Sequence, residues 1–232
     1  MNYFGDTAFE ELKANYGKIK VVDVGAARGA FLVELEKKYD LNNVYAIGIE
    51  PFNHGIKDHY DKFFEVCVDN VDSPTEMEFY VNADDQASSL CQWNYDNLSS
   101  DQGDGSKFYY SESILDQINS RQSKKTVDVL NLDTIINEEI PEGVVHFIKV
   151  DAEGKDLDIV KSLSDDTLKR TKFIGVECPN EIPRFEGESP KQEFVDYFES
   201  KNFKEFYCLN YEEDPTNRQP MSDVVFVNGD DL

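Results

Sequence analysis

Acidic side chains stand at or next to the ends of four apolar runs in the sequence. Asp23 lies near the end of one run, Glu50 follows the next, Asp151 and Glu153 follow a later one, and Glu177 follows another. A carboxylate at the end of a buried strand costs free energy unless it is hydrogen-bonded or binds a ligand or a metal ion. In open α/β sheets, ligands bind beyond the carboxyl ends of the strands. We therefore expect at least three of these acids to line one pocket.

A turn with two glycines follows the first of these apolar runs. The β-branched residues of Ile19 to Val24 predict a buried strand. Gly25 and Gly29 then mark a tight turn, and apolar residues recur at helical spacing after it. A strand, a glycine turn and the start of a helix let the backbone approach a small ligand closely. Glu50 stands about 20 residues further on, where an acid accepts the ribose hydroxyls in nucleoside-binding βαβ units.

Apolar runs alternate with amphipathic segments along most of the chain, which predicts an α/β fold. Such alternation is typical of a mostly parallel central sheet with helices on both faces. No segment rich in proline, glycine or serine divides the chain, so we expect one domain over residues 1–232. Strands are expected over 19–24, 44–49, 63–68, 75–81, 126–130, 144–150, 173–176, 203–209 and 223–227. Helices are expected over 7–17, 52–61, 110–120 and 190–200, and also after residues 29, 131 and 154.

The segment 82–121 has the least regular pattern in the chain. It contains the only tryptophan, Trp93, and a polar run from Ser99 to Ser106. A long segment without periodicity inside a compact domain is usually functional or mobile. We expect it to form a loop on the substrate side of the site, and a disordered insertion is the alternative.

The charge of the chain is strongly negative, with 23 Lys and Arg residues against 47 Asp and Glu residues and a net charge of −24. This field repels phosphates and anionic lipids, so nucleic acid and membrane surfaces are not expected as partners. No apolar run has the length of a secretion signal or a membrane helix, which predicts a cytoplasmic protein. The sequence gives no indication of the oligomeric state.

Five blocks of the sequence carry a specific resemblance. They are Val21 to Gly29, Ile49 to Pro51, Ser88 to Leu90, Leu132 to Ile135 and Ile148 to Gly154. Their order and spacing, and above all the Lys-x-Asp-x-Glu-Gly motif in the last block, resemble the FkbM family of S-adenosylmethionine-dependent O-methyltransferases. The resemblance implies a Rossmann-like methyltransferase fold whose last two strands form an antiparallel hairpin. It also implies methyl transfer to a hydroxyl of a sugar, a polyketide or another small metabolite.

The resemblance further implies which residues hold the cofactor, S-adenosylmethionine. Backbone groups of the glycine turn would approach its methionine part, Asp23 would orient that turn, and Glu50 would accept both ribose hydroxyls. Val68, after the third strand, would flank the adenine. Ala27 stands where the family usually carries Asn, so this chain lacks a polar side chain at that point of the turn. The full set is Asp23, Gly25, Ala26, Ala27, Gly29, Glu50, Pro51, Val68 and Asp151.

The implied reaction needs a group that removes a proton, because an alcohol is a weak nucleophile. Asp151 is the first candidate for this base, and Glu153 and Lys149 are the others. The alternative is Mg²⁺ held by Asp151, Glu177 and Asn180, because oxygen ligands at strand ends suit this ion. Methyl transfer is an in-line displacement, so the main task of the site is to position the acceptor oxygen.

Two other functions remain open for the same residues. A nicotinamide-dependent oxidoreductase also uses a glycine turn and an acid, but its Gly-x-Gly-x-x-Gly fingerprint requires glycines where this chain has Ala27 and Ala30. A non-catalytic nucleoside-binding module on the same fold would keep the cofactor residues without transferring a methyl group.

Overall fold

The computed structural model describes residues 6–38, 40–82, 88–99, 108–110, 123–211 and 220–231, together with residues 112, 115, 116 and 118. The helices are α1 Asp6–Asn15, α2 Ala30–Lys38, α3 Leu132–Glu139, α4 Asp156–Lys161, α5 Asp165–Lys169 and α6 Lys191–Ser200. The strands are β1 Ile19–Val24, β2 Val44–Ile49, β3 Lys62–Phe64, β4 Cys67–Val68, β5 Thr75–Val81, β6 Leu98–Ser99, β7 Phe108–Tyr109, β8 Ser123–Leu130, β9 Val145–Val150, β10 Thr171–Pro179, β11 Phe203–Asn210 and β12 Met221–Asn228. Among these described helices, none has the length and apolar composition needed to cross a membrane.

Seven of the described strands form the main sheet, in the order β11-β12-β10-β9-β1-β2-β3. The strands from β10 to β3 run parallel, whereas β12 runs antiparallel to both β10 and β11. Every residue of β9 is buried, as expected for a central parallel strand that is covered on both faces. The predicted α/β fold, with its mostly parallel sheet and C-terminal antiparallel hairpin, is confirmed.

Helices cover both faces of the main sheet. On one face, Phe9 of α1 and Phe31 of α2 lie against Phe147 of β9, with ring centroids 5.0 and 5.8 Å from that of Phe147. On the other face, α3 to α6 pack through a second apolar cluster, in which Phe198 of α6 stacks on Phe226 of β12 at 4.0 Å. Successive side chains of a strand point to opposite faces, so the central strands contribute to both clusters.

The prediction of a single third strand over 63–68 is wrong. This segment consists of two short strands in two different sheets: β3 lies at the edge of the main sheet beside β2, whereas β4 pairs with β8 in a smaller sheet that also contains β5. The chain leaves the main sheet at Glu65, and Val66, Cys67 and Val68 then line the cavity described below. Because apolar residues continue across the break, periodicity alone does not reveal it.

The helix predicted over 52–61 is also wrong. This segment forms a single 3₁₀ turn over Lys57–His59. Gly55 has a φ of 83°, a left-handed conformation that interrupts an α-helix. Ile56 and Tyr60 bury their side chains in the apolar cluster beside α2, which fixes the segment without a helix. Of the helix predicted over 110–120, residues 112, 115, 116 and 118 are described and are helical. The other residues of 111–120 and much of the segment 82–121 lie outside the described residues.

Candidate active site

The acids at the strand ends lie at one level because the central strands are in register. Val24 of β1 pairs with Ile49 of β2 and with Val150 of β9, and Val150 pairs in turn with Val176 of β10. The residues that follow these positions therefore lie side by side. They are Gly25, Glu50, Asp151 and Glu177. The first three lie beyond the ends of their strands, whereas Glu177 is still within β10 and pairs with Asp223 of β12. Adjacent strands lie about 4.8 Å apart, so roughly 14 Å separate β2 from β10 at this level.

A cavity opens at these strand ends and contains about 1020 Å³ of empty space, including its mouth. Glu50, Asp151, Glu153 and Glu177 all line it, so the four acids share one pocket. Other residues expected at the cofactor or at the reaction also line it, namely Gly25, Ala26, Ala27, Pro51, Val68 and Lys149.

The glycine turn is shaped by contact between the ends of β1 and β9. A Cβ atom at Gly25 would lie 1.8 Å from the carbonyl oxygen of Asp151, so no larger residue fits there. Gly25 also has a φ of 70°, and its N–H donates to the carbonyl of Ile49 at 3.0 Å. Ala27 has a φ of 43°, in the left-handed region that suits Asn better than alanine. The turn is therefore held by strand-end packing and not by a side chain at position 27.

Two residues expected at the cofactor, Asp23 and Gly29, are not among the residues that line the cavity. Asp23 is fully buried, accepts a hydrogen bond from the Tyr60 hydroxyl at 2.5 Å and lies 3.2 Å from Lys149 Nζ. Burial raises the pKa of Asp23, while Lys149 and Tyr60 act in the opposite direction. Gly29 closes the turn, and its N–H donates to Ala26 at 2.7 Å. Both residues support the turn without facing the cavity.

Lys149 connects the turn to the acids. Its side chain is almost fully buried, and Nζ donates to the carbonyl oxygen of Gly25 at 2.7 Å. Oxygens of Asp23 and Asp151 lie 3.2 and 3.4 Å from the same nitrogen. An ammonium group has three donors, and here three oxygens surround it. This arrangement favours a charged, donating Lys149 over a lysine that acts as a base.

Glu50 holds the glycine turn from the side of β2. One carboxylate oxygen accepts the N–H of Ala27 at 3.0 Å, and the other accepts the N–H of Phe52 at 3.3 Å. Burial raises the pKa of Glu50, and these two backbone donors partly oppose that effect. A carboxylate oxygen accepts more than one hydrogen bond, so both oxygens can also accept from ribose hydroxyls in the cavity.

An apolar side of the cavity adjoins Glu50. It is formed by residues of the small sheet and of the segment beside it: Val66, Val68, Phe79 and Leu90. Together with the carboxylate of Glu50 and the backbone of the turn, this surface fits a nucleoside, which presents a flat apolar base next to ribose hydroxyls. The chemistry of the donor set therefore fits the expected cofactor.

A buried arginine contacts the acids at the other end of the cavity. Carboxylate oxygens of Asp151, Glu153 and Glu177 lie within 4.8 Å of one another. Arg184 places its guanidinium nitrogens 3.3 Å from Glu153 and 2.8 Å from Glu177. Burial raises the pKa of Glu153 and of Glu177, and the positive charge of Arg184 opposes this for both groups.

The magnesium ligands expected from the sequence are only partly together. Asp151 and Glu177 meet as described, with Glu153 as a third carboxylate. The side chain of Asn180 instead donates to Asn210 at 3.0 Å and accepts from the Ser222 hydroxyl at 2.6 Å, and Asn180 does not line the cavity. The amide is therefore engaged with β11 and β12 and not with the acids.

Several cavity residues were not singled out from the sequence. Among those with polar or aromatic side chains are Arg28, Phe31, His54, Phe79 and Lys155. Phe79 belongs to a segment with alternating apolar residues. This alternation indicates that one face of the strand is buried, but it does not indicate that this face lines a cavity. Lys155 also pairs with Asp69 at 3.1 Å, which keeps this acid beside the cavity wall. Arg184 had no signal in the sequence, because its contacts depend on the fold of an irregular segment.

The profile of the Methyltransferase FkbM domain matches residues 23–205. No curated protein matches the sequence. Among solved structures, the chain is similar to a candidate rRNA methylase from Clostridium thermocellum, with 9% identity, a TM-score of 0.45, and coverage of 98% of this chain and 96% of that one. It is also similar to precorrin-6y C5,15-methyltransferase from Geobacter metallireducens GS-15, with 10% identity, a TM-score of 0.42, and coverage of 95% and 85%.

A third similar structure is 1,6-didemethyltoxoflavin-N1-methyltransferase from Burkholderia thailandensis with bound S-adenosylhomocysteine, with 11% identity, a TM-score of 0.39, and coverage of 96% of this chain and 77% of that one. The family assignment depends on the profile match, which extends from the end of β1 into β11. Because this match covers well over half of the sequence, the chain belongs to the FkbM family of S-adenosylmethionine-dependent methyltransferases.

Proposed function

We propose that the protein is an O-methyltransferase that transfers the methyl group of S-adenosylmethionine to a hydroxyl of a small metabolite or sugar. The observation that carries the proposal is the order of groups along the cavity. Glu50 and the apolar side lie at β2, the glycine turn and Lys149 lie at β1 and β9, and the acids with Arg184 lie at β9 and β10. A nucleoside at one end and an acceptor at the other would meet near Asp151.

The chain's own residues would hold the cofactor at the β2 end. Glu50 would accept the ribose hydroxyls, and Val68, Phe79 and Leu90 would pack on the adenine. Backbone groups of Gly25 and Ala26 would approach the methionine part, where Lys149 already fixes the carbonyl of Gly25. When bound, S-adenosylmethionine supplies an electrophilic methyl group on a sulfonium ion.

Asp151 is the residue that we propose as the general base. Its side chain is 27% exposed and lines the cavity, so an acceptor hydroxyl can reach it. The Nζ atom of Lys149 lies 3.4 Å from the carboxylate of Asp151 and holds it beside the cavity. Asp151 would take the hydroxyl proton and align the oxygen for in-line attack. Glu153 is the second candidate, but Arg184 lies 3.3 Å from its carboxylate, which leaves it less available to an acceptor than Asp151.

The two other functions are less well supported. Alanines at positions 27 and 30 leave out the glycines of a nicotinamide fingerprint. A binding module without catalysis would not need a carboxylate such as Asp151 that faces the cavity beside the buried Lys149. Magnesium assistance stays a prediction, and its ligand set would be Asp151, Glu153 and Glu177, without Asn180.

A panel of matched acceptors tests the proposal. The protein is incubated with S-adenosylmethionine carrying a labelled methyl group and with sugars and small metabolites, each paired with an analogue whose hydroxyl is removed. We expect labelled product from at least one hydroxylated compound and none from its deoxy partner. Equal labelling of both partners would contradict O-methylation. Binding of S-adenosylhomocysteine without transfer to any compound would instead favour the nucleoside-binding module.

A further inference from the structure

Arg184 lies in the segment between β10 and α6 and is 6% exposed. Its guanidinium contacts three carboxylates from different parts of the chain. Glu153, after β9, lies 3.3 Å away; Glu177, in β10, lies 2.8 Å away; and Glu188, in its own segment, lies 3.2 Å away. A guanidinium presents five N–H donors in one plane, which suits several carboxylates at once.

The surroundings of Arg184 hold it in this position. The carboxylate of Glu188 accepts the backbone N–H of Arg184 and, at 3.1 Å, that of Phe185. Phe185 is fully buried and stacks on Trp93 with ring centroids 4.3 Å apart. A Cβ at Gly154 would lie 3.0 Å from the Cβ of Phe185, so this segment packs directly on the backbone that follows Glu153.

The same acids have the spacing of a cation site. Oxygens of Asp151, Glu153 and Glu177 lie within 4.8 Å of one another, but two of these three carboxylates are already paired with Arg184. Mg²⁺ requires close to six oxygen ligands at about 2.0–2.1 Å. A guanidinium on two of the three carboxylates engages their oxygens and repels a second cation.

We propose that Arg184 is a positioning residue that takes the place of a divalent cation in this cluster. It holds Glu153 and Glu177 in fixed positions beside Asp151, so the site needs no metal ion. The role of Arg184 in catalysis rests on the proposed function. The claim that Arg184 replaces a cation among these carboxylates concerns charge alone and can be tested without the acceptor.

The test uses Tb³⁺, whose emission rises when an excited tryptophan is close. Trp93 is the only tryptophan in the chain, and it stacks on Phe185, whose ring centroid lies 5.3 Å from the guanidinium carbon of Arg184. We expect no saturable Trp93-sensitised emission from the wild-type chain. Arg184→Gln should give saturable emission at Tb³⁺ concentrations at least tenfold lower than any wild-type signal, and Arg184→Gln with Glu177→Gln should lose it.

Lys57→Gln is the matched control, because Lys57 is an exposed cation that pairs with Glu65 at 3.2 Å. Its loss should leave the emission unchanged. Saturable emission from the wild-type chain, or a folded Arg184→Gln variant that gains none, would overturn the inference. If circular dichroism shows that Arg184→Gln is unfolded, the same emission is measured on the wild-type chain and on Arg184→Lys, which keeps the positive charge. Saturable emission from either protein would overturn the inference.

Calorimetry separates this inference from the proposed function. Wild-type protein is titrated with Mg²⁺ and, in a second experiment, with S-adenosylhomocysteine. We expect no saturable Mg²⁺ heat and clear binding of S-adenosylhomocysteine. Stoichiometric Mg²⁺ binding that Glu177→Gln abolishes would refute the role of Arg184. Absence of S-adenosylhomocysteine binding would refute the proposed function. The claim that Arg184 replaces a cation would then be decided by the Tb³⁺ emission.

Discussion

Asp23 and Asp151 are the same residue type at the ends of two adjacent strands, but their surroundings differ. Asp23 lies inside β1 and is closed off by Tyr60 and Lys149, whereas Asp151 follows β9 and faces the cavity. Lys149 touches both carboxylates and therefore links the buried acid to the open one. One carboxylate shapes the site, and the other is available for chemistry.

Replacing Asp151 with asparagine tests the assignment of the base. Asp151→Asn keeps the shape of the side chain but removes its ability to take a proton. We expect turnover to fall by about 10²–10⁴-fold, the usual contribution of general base catalysis, with a much smaller change in the affinity for S-adenosylhomocysteine.

The control for this prediction is Asp166→Asn, because Asp166 is almost fully exposed at the surface of α5. It should change neither quantity. If Asp151→Asn weakened cofactor binding as much as turnover, Asp151 would have a structural role and the base would have to be sought elsewhere.

The sequence could indicate Glu50 and Asp151, because each follows an apolar run that must end at the edge of the sheet. It could not indicate that Asp23 is closed off, since that depends on Tyr60 in a segment predicted as a helix. Arg184 and Glu188 were equally out of reach. Their contacts arise only when the irregular segment between β10 and α6 folds back over the end of β9.

The turn between β1 and α2 is the element on which the site depends most. Gly25 and Gly55 offer a direct comparison, because both have positive φ values, 70° and 83°. Around Gly25 a Cβ would clash with the carbonyl of Asp151, whereas around Gly55 no atom lies within 4 Å of a Cβ. A substitution at Gly55 therefore tests backbone strain alone, whereas one at Gly25 tests backbone strain and a steric clash together.

Gly55→Ala should lower the free energy of unfolding by about 1–2 kcal/mol, the cost of a left-handed conformation in a residue with a Cβ. Gly25→Ala should cost more than about 4 kcal/mol, because β1 and β9 must also move apart. Urea denaturation monitored by circular dichroism measures both. Similar losses in the two variants would contradict the packing described for the turn.

Elements were predictable where the pattern of apolar residues was regular. The β-branched runs of β1, β2 and β9 and the amphipathic spacing in α6 gave correct strands and a correct helix. The 63–68 segment failed because an apolar run can change sheets without a change of composition. The 52–61 segment failed because Gly55 and two buried side chains override helix formation, which only tertiary packing reveals.

The whole molecule has a net charge of −24 and also buries several carboxyl groups whose pKa values are raised. Asp223 of β12 is 4% exposed, and burial and the charge of Glu177 raise its pKa to about 8. In the unfolded chain the same group ionises near pH 3.8. Between these values the folded state binds a proton that the unfolded state has lost, so stability falls as pH rises.

We therefore expect the titration of Asp223 to lower the free energy of unfolding between pH 7 and pH 8, with a limiting slope of about 1.4 kcal/mol per pH unit. This pH interval lies above the titration of His146. Burial lowers the pKa of His146 to about 4, and its effect on the free energy of unfolding is complete above 6.5, its value in the unfolded chain. Urea titrations at both pH values measure the change.

Asp223→Asn should reduce this slope, because asparagine does not titrate and can still accept the hydrogen bond that Tyr211 donates at 2.5 Å. Asp166→Asn again provides an exposed control that should keep the wild-type slope. A free energy of unfolding that rises with pH over this interval would contradict the raised pKa of Asp223.

Calorimetric titration with S-adenosylhomocysteine tests the central claim most directly, that the ends of β1, β2 and β9 form one cofactor site. The wild-type chain should bind, and Glu50→Gln should bind about 10- to 100-fold more weakly, equivalent to roughly 1–3 kcal/mol for lost charged hydrogen bonds. Glu65→Gln, an exposed glutamate nearby in the sequence, should bind like the wild type. Unchanged affinity in Glu50→Gln, or no binding by the wild-type chain, would contradict the claim.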